Sequence, residues 1–467
     1  MRNCPYGMAS HAKSAAFALA AGLAMCKGAI AADGDLDPTF GTLGFALTGL
    51  TTAGFELPPK PIVQPDGKIL ICSRLDSGGA SGGDFFVARF NPDGTLDTDF
   101  DFDGKVTIDF DGRNEGCNAL ALQADGKIVA IGSSSETSSS SDFAIARLTP
   151  DGSLDPTFGA GTGKAIVPFD VGGTFSDTAA TVALQPDNKI LVAGWAEAAT
   201  GIDMAIVRLL PDGTRDTTFN GTGRVTIDFS FPGTGSIDQA DSIVVEDSGK
   251  ILLGGVAETT SGSFDFALAR LLPNGQLDPS FDADGRATIG FDLGNTNSDL
   301  SYQTIRQRDG KIVMVGAADT GSGTANNDFA IARLLPDGSP DPGFGVGGKV
   351  VVPFDIVTNG ADVATGVVED SVGRLVVVGG GISSSGTEAS SLALRLLPDG
   401  TLDDGFGNFG KQIYAFGGTY ELFTGVTLQG TQIIAEGIVQ SGTSPDTVSD
   451  NVVARMEVDL IFADGFE

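Results

Sequence analysis

A short motif recurs seven times in this chain, and its spacing constrains the fold more than any other feature. Each copy is a variant of Leu-Asp-x-x-Phe that follows a turn of the Pro-Asp-Gly type, and the copies lie 58 to 63 residues apart. The repeated aromatic residues are Phe40, Phe100, Phe158, Phe219, Phe281, Phe344 and Phe406. Self-similarity at a fixed period is typical of repeat architectures. We therefore expect one small structural unit, repeated along the chain.

A single repeat has the pattern of four short β-strands, which we call a to d. In the copy that runs from Asp177 to Phe229, strands a and b flank a Pro-Asp-Asn turn, and strands c and d flank a Pro-Asp-Gly turn. Proline, glycine and Asx residues between β-prone runs predict antiparallel strands joined by turns. No segment of the mature chain shows a sustained helical period. Four antiparallel strands in about 61 residues are typical of a propeller blade.

The strand count predicts how the repeats close. Strands b and c each occur seven times, whereas a strand of type d begins one unit early, at Phe45, and is missing after Arg455. We therefore expect an all-β, seven-bladed β-propeller over residues 32–457, in which the N-terminal strand completes the last blade. This arrangement removes two open sheet edges. The alternative is an open solenoid, which would need polar caps at both ends.

The first 31 residues differ from the rest. Arg2 and Lys13 precede an apolar stretch, Ser14–Cys26, and small residues follow at Ala29 and Ala31. This order is typical of a secretory signal peptide, and 13 apolar residues are too few for a membrane span of about 20. The alternatives are a membrane anchor or a lipoprotein. We expect residues 1–31 to be a signal peptide, the mature protein to be secreted, periplasmic or on the cell surface, and residues 458–467 to form a C-terminal tail.

Charge and cysteine content limit the partners. The mature chain carries 60 Asp plus Glu against 25 Lys plus Arg, a net charge near −35. Such a field repels phosphate backbones and anionic lipids, so we expect no nucleic-acid partner and no membrane insertion. Separately, we expect a monomer. Two cysteines remain, Cys72 and Cys117, which form no disulfide framework for a chain of this length. The position of Cys72 in an apolar strand favours a buried thiol, and a single bridge to Cys117 is the alternative.

The stretch Asp142–Leu148, followed by Pro150–Gly159, resembles the delta-60 repeat family of exported bacterial β-propeller proteins. The resemblance covers essentially the whole mature chain, and it implies the fold and the compartment. It implies no activity and no catalytic residues. The seventh copy departs most from the pattern, since Ser390 and Ser391 stand in place of Asp-Phe.

Three residue types recur in every repeat, and we expect them to be structural. The motif Asp can cap a short turn, the motif Phe can lie beneath that turn between blades, and the Arg of strand c can pair with the Asp. The Asp residues are Asp37, Asp97, Asp155, Asp216, Asp278, Asp341 and Asp403; the Arg residues are Arg89, Arg147, Arg208, Arg270, Arg333, Arg395 and Arg455.

A second set of acids is the candidate metal site. Each lies where a loop of variable length enters strand a, and strand a lines the central channel of a propeller. The set is Glu56, Glu115, Asp177, Asp238, Asp299, Asp362 and Glu421. Converging carboxylates favour a hard cation, with Ca²⁺ as the candidate cofactor. The alternative is that each acid caps backbone N–H groups of its own loop.

Missing residue types narrow the chemistry. The one histidine, His11, lies in the predicted signal peptide, so Ser-His-Asp and Cys-His hydrolysis and His-ligated metals are excluded in their usual forms. We expect a non-enzymatic exported scaffold that binds a protein or glycan partner, with calcium as a candidate ligand, through its variable b-to-c and d-to-a loops. The alternative is a carboxylate- or metal-dependent hydrolase or lyase that uses acids at the channel mouth.

Overall fold

The computed structural model describes residues 32–49, 60–76, 82–137, 140–172, 176–199, 201–229, 237–260, 262–294, 297–321, 326–354, 360–383, 385–441 and 448–458. The predicted signal peptide, Glu56 and most of the predicted C-terminal tail lie outside these ranges. So do parts of the variable loops to which a partner-binding role was assigned. Residues 32–467 form one compact unit.

Regular structure in the described ranges is almost entirely β, as the repeat pattern predicts. The exception is a short 3₁₀ helix, Gly159–Gly161. Five sheets contain four strands each, and in each sheet the strands follow one another in chain order with antiparallel pairing. The strands of these five sheets are β2 (Ile62–Val63), β3 (Ile69–Asp76), β4 (Gly83–Phe90), β5 (Lys105–Ile108); β6 (Asn114–Leu122), β7 (Ile128–Thr137), β8 (Ser140–Leu148), β9 (Lys164–Val167); β10 (Asp177–Leu184), β11 (Ile190–Ala198), β12 (Gly201–Leu209), β13 (Arg224–Ile227); β14 (Asp238–Val245), β15 (Ile251–Thr260), β16 (Ser263–Leu271), β17 (Arg286–Ile289); and β18 (Asp299–Arg306), β19 (Ile312–Asp319), β20 (Asn327–Leu334), β21 (Lys349–Val352).

The sixth sheet has eight strands and consists of two four-stranded groups. Its strands are β22 (Ala361–Glu369), β23 (Leu375–Ile382), β24 (Ala389–Leu396), β25 (Lys411–Tyr414), β26 (Tyr420–Gln429), β27 (Gln432–Ser441), β28 (Val448–Met456) and β1 (Phe45–Leu47). A single parallel pair, Ala389 with Tyr420, joins the groups. The N-terminal strand β1 lies antiparallel to β28, with Phe45 opposite Ala454. The second group therefore takes its outer strand from the other end of the chain.

The Arg/Asp/Phe set has the structural role that its recurrence predicts. In the third sheet, Arg208 is buried; its Nε lies 2.9 Å from Asp216 Oδ2, and its guanidinium lies 4.5 Å from the centre of the Phe219 ring. The other Oδ of Asp216 accepts a hydrogen bond from the backbone N–H of Thr218, as expected for a capped turn. The same Arg–Asp hydrogen bond is present in all seven copies.

The set also joins each repeat to the next. Arg208 Nη1 donates to the backbone carbonyl of Pro273, one repeat further along, at 2.7 Å. The buried Phe158 packs beneath the Pro-Asp-Gly turn of the following repeat, where Gly213 has a φ of +88° and a Cβ would lie 2.7 Å from the ring. Only glycine fits that backbone at that distance. The same kind of hydrogen bond joins the last repeat to the first, because Arg455 Nη1 donates to the backbone carbonyl of Pro92 at 2.7 Å.

Cys72 and Cys117 form a disulfide, which corrects the expectation of a buried thiol. Cys72 on β3 and Cys117 on β6 are bonded, with their Cα atoms 5.9 Å apart. Both side chains are buried in the apolar cluster between the first and second sheets. The bridge therefore connects neighbouring sheets covalently. Separately, none of the described residues forms a helix long and apolar enough to cross a membrane.

Candidate active site

The recurring acids predicted to bind metal lie at the start of the innermost strands but are buried. The six that fall in described ranges are 0–5 % exposed: Glu115, Asp177, Asp238, Asp299, Asp362 and Glu421. Asp177 Oδ2 accepts a hydrogen bond from the backbone N–H of Phe169, at the end of the preceding sheet, at 2.7 Å. Glu421 accepts two such bonds, from Phe416 at 2.8 Å and Gly418 at 2.5 Å. These acids bridge the junction between one sheet and the next.

A different position in strand a faces the centre. In each of six innermost strands one extra residue interrupts the pairing with strand b, which is the geometry of a β-bulge. The residues at the interruptions are Asn118, Ala180, Asp241, Tyr302, Thr365 and Thr424. All six line one cavity of about 560 Å³. The bulge thus directs one side chain per strand into this space.

The cavity is formed by residues from the first strand of every sheet and from both groups of the eight-stranded sheet. Lys60, just before β2, and Ile62 on β2 line it together with residues of β6, β10, β14, β18, β22 and β26. We call this cavity the channel. The six described repeat acids are not among the residues that line this cavity. Five of them accept a backbone N–H bond from the end of the preceding sheet or strand group: Asp177, Asp238, Asp299, Asp362 and Glu421.

Four of the described residues that line the channel can ionise: Lys60, Asp241, Tyr302 and Arg306. Desolvation raises the pKa of Asp241 to about 8. At neutral pH this carboxyl group is therefore mainly protonated, which is the form that can donate a proton to a leaving group. The corresponding bulge positions of the neighbouring innermost strands hold Ala180 and Tyr302, so the acid is particular to this copy.

Lys60 and Tyr302 are shifted in opposite directions. Desolvation lowers the pKa of Lys60, which increases the fraction of neutral amine that can accept a proton. Desolvation raises the pKa of Tyr302, and the charge of Asp241 on the adjacent innermost strand adds to that shift. Tyr302 therefore keeps its phenolic proton as a hydrogen-bond donor. The channel combines a neutral acid, a candidate base and a neutral donor.

The channel lining has the opposite charge from the rest of the molecule. With Asp241 and Tyr302 protonated and Lys60 shifted towards its neutral amine, the charge that remains on the described lining is that of Arg306, whereas the whole chain has a formal net charge of −32. Arg306 Nη1 lies 3.7 Å from the exposed Asp247. A concave site whose charges have one sign concentrates ligands of the opposite charge. The channel is therefore suited to an anionic ligand.

Sequence reasoning missed these residues because it searched for types that recur. The sequence does contain a signal for them, which is variation instead of recurrence. Three positions after each repeat acid the residue type changes from copy to copy, and Asp241 in one copy is followed by Tyr302 in the next. Departure from the repeat at one fixed position marks the channel.

Comparison with known proteins gives matches to a repeat family and to several solved structures. Six segments match the family described as "Domain of unknown function (DUF5122) beta-propeller": residues 64–100, 123–158, 185–219, 247–281, 307–344 and 373–406. No curated protein sequence matches the chain.

The similar solved structures include carbohydrate-active enzymes. The polysaccharide lyase Uly1 has a TM-score of 0.46 at 10 % identity, covering 86 % of this chain and 90 % of the lyase. A PL25 ulvan lyase has a TM-score of 0.46 at 9 % identity, with coverage of 91 % and 94 %. The GH93 α-L-arabinofuranosidase of Fusarium graminearum, in complex with arabinobiose, has a TM-score of 0.42 at 10 % identity, with coverage of 91 % and 96 %.

These neighbours correct the expected function. A non-enzymatic scaffold was expected, whereas the similar structures include lyases and a glycoside hydrolase, in line with the alternative of a hydrolase or lyase. At these identities and TM-scores the likeness does not identify a reaction, which has to be argued from the channel itself. The described residues are therefore all-β in their strand pairing, and six segments of the chain are similar to the DUF5122 β-propeller repeat.

Proposed function

We propose that this protein is an exported carboxylate-dependent lyase that cleaves an acidic polysaccharide in its channel. The carrying observation is that repeat-equivalent bulge positions hold unlike residues, with Asp241 protonated at neutral pH beside Tyr302. An active site normally needs such a departure from symmetry, because acid and base must differ in pKa.

We further infer that the repeats close into a ring of seven blades. Support comes from the pairing of β1 with β28, from the Arg455 hydrogen bond to Pro92, and from one cavity bordered by the first strand of every four-stranded group. Closure leaves no sheet edge open at the chain ends. Export by a signal peptide at residues 1–31 is supported by the disulfide between Cys72 and Cys117, because disulfides persist in oxidising compartments.

The chemistry that fits these groups is β-elimination. Neutral Lys60 takes the proton on the carbon beside a uronate carboxylate, the electron pair forms a C=C bond, and the glycosidic C–O bond breaks. Asp241 transfers its proton to the departing oxygen, and water later returns Lys60 and Asp241 to their starting protonation states. Tyr302 donates a hydrogen bond to the substrate beside Asp241. No water is added, so the new chain end is unsaturated.

The substrate class follows from this chemistry and from the charge of the channel. Elimination requires an acidifying carboxylate next to the C–H bond that breaks, so the sugar must be a uronate. Arg306 would attract that carboxylate into a lining that carries no negative group among its described residues at neutral pH. Two-carboxylate glycoside hydrolysis needs a second acid on the opposite side of the sugar. The described lining supplies only Asp241.

The test is an assay of the mature protein with ulvan, polygalacturonate and alginate as acidic substrates and arabinan as a neutral one. Both the ultraviolet absorbance of a new C=C bond and the number of new reducing ends are measured. The lyase proposal predicts that both signals rise together on an acidic substrate. Reducing ends without absorbance would instead demonstrate hydrolysis.

Variants connect the activity to the channel. Asp241→Asn and Lys60→Met should each lower kcat/KM about 100-fold or more, the usual contribution of a general acid or base. Asp404→Asn, at an exposed turn, is the matched control and should leave activity unchanged. If Asp241→Asn retains full activity, the channel acid has no catalytic role.

A further inference from the structure

The junction between the first and second sheets holds three carboxylates from three strands, away from the channel. Asp84 lies on β4, Asp109 directly follows β5, and Glu115 lies on β6 of the next sheet. One oxygen from each lies within 4.8 Å of the others. Two oxygens that share an ion at about 2.4 Å can be no more than about 4.8 Å apart. The oxygens are therefore close enough for a common calcium ion.

Glu115 provides a second and independent observation. Its side chain is 1 % exposed, and its Oε1 accepts a hydrogen bond from Ser134 at 3.1 Å. Its other oxygen, Oε2, is buried and has no hydrogen-bond partner. An unpartnered buried carboxylate oxygen is costly, and a bound cation is one way to satisfy it.

A comparison within the molecule isolates this feature. Glu421 occupies the equivalent position at the last junction, and both of its oxygens accept backbone N–H bonds. At that junction Ser390 stands where the first sheet has Asp84, and Ala415 follows strand β25 where Asp109 follows β5. Glu421 therefore lacks both of these acids, whereas Glu115 has both beside it. Because Asp177 and Asp299 also carry an unpartnered buried oxygen, it is the carboxylate cluster that sets Glu115 apart from them.

Two positive groups lie near the cluster. Arg74 acts favourably on Asp84, and Lys164 donates a hydrogen bond to the backbone carbonyl of Asp109.

We propose that Asp84, Asp109 and Glu115 bind a Ca²⁺ ion that connects the first two sheets. Carboxylate oxygens without nitrogen or sulfur donors are the ligand set of a hard cation. The ion lies at a sheet junction and not in a ring at the channel mouth, and it is separate from the proposed catalytic groups.

Calorimetric titration of chelator-treated mature protein with CaCl₂ tests this proposal, with MgCl₂ and NaCl of equal ionic strength as separate arms. One calcium ion should bind at this junction with sub-millimolar Kd, and NaCl should not reproduce the heat. Glu115→Gln should remove this binding, whereas Glu421→Gln should leave it unchanged. Asp109→Asn, at a more exposed position, repeats the test in a variant that keeps the buried acid.

Two results would overturn the proposal. One is the absence of calcium binding tighter than millimolar in the wild-type protein. The other is binding that survives unchanged in both Glu115→Gln and Asp109→Asn, which would place the ion elsewhere. Neither result depends on lyase activity, so this site and the channel are tested separately.

Discussion

Replacing Arg208 with Met should destabilise the protein by about 3 kcal/mol or more. The side chain is 6 % exposed, and it bonds to Asp216, to the carbonyl of Pro273 and to Thr218. Removing one partner of a buried ion pair costs about 3–5 kcal/mol, because the other charge stays buried. Lys189 lies 3.5 Å from Asp216 and remains, which places the expected loss near the lower end of that range.

Urea unfolding followed by Trp195 fluorescence measures the loss. Trp195 is the single tryptophan of the chain and lies on β11, where it pairs with Met204 of the strand that carries Arg208. The matched control is Arg308→Met: that side chain is 59 % exposed and lies 3.4 Å from Glu369, so it should cost less than about 1 kcal/mol. The double variant with Asp216→Asn should lose less than the sum of the two single variants, because it leaves no stranded charge. A loss below about 0.5 kcal/mol for Arg208→Met would refute the role assigned to the recurring Arg.

Three further predictions concern closure, the disulfide and acid stability. Deleting residues 33–48 removes β1 and the Asp37 partner of Arg455. The variant should therefore aggregate in size-exclusion chromatography or unfold at a lower Tm than the wild type. A variant that stays monomeric and keeps the wild-type Tm would contradict ring closure. The Cys72→Ser/Cys117→Ser variant opens a loop with a sequence separation of 45 residues and should lose about 2–4 kcal/mol in urea unfolding; an equal stability with and without reductant in the wild type would argue that the bridge contributes nothing. Burial alone would raise the pKa of Asp155, but hydrogen bonds from Thr157 and the charge of Arg147 hold this pKa at about 2. This folded-state pKa is below the unfolded value near 4, so the contribution of Asp155 to the free energy of unfolding is fully present above about pH 4 and is lost as the pH falls towards 2. Asp155→Asn should therefore flatten the dependence of stability on pH in this range. An unaltered dependence would contradict the role of the Arg147–Asp155 pair.

The recurring features were predictable from the sequence because each copy repeats the same local physics. The turn chemistry of one repeat predicts strands a to d, and the early strand at Phe45 predicts the pairing with β28. The Asp216 and Arg208 pairing followed from two residue types that occur once per copy in a half-buried setting.

The channel residues could not be predicted in the same way. A bulge adds one residue to strand a, so the alternation of inward and outward side chains changes face at Asp241 and Tyr302. The sequence analysis selected the repeat acids because they recur where a loop enters strand a, whereas in the structure the carboxylates of Asp177 and Asp238 accept N–H bonds from the neighbouring sheet. The Cys72–Cys117 bridge was missed for a related reason, since it depends on how two sheets pack and not on either strand alone.

The pH dependence of C=C formation on an acidic polysaccharide tests the proposed function most directly. Asp241 must be protonated to act as the acid, so kcat/KM should fall as the pH rises through about 8. Asp241→Asn should remove this alkaline limb along with most of the rate, while Asp404→Asn keeps both. An absence of C=C formation on every uronate substrate, or an alkaline limb that is identical in Asp241→Asn, would contradict the account.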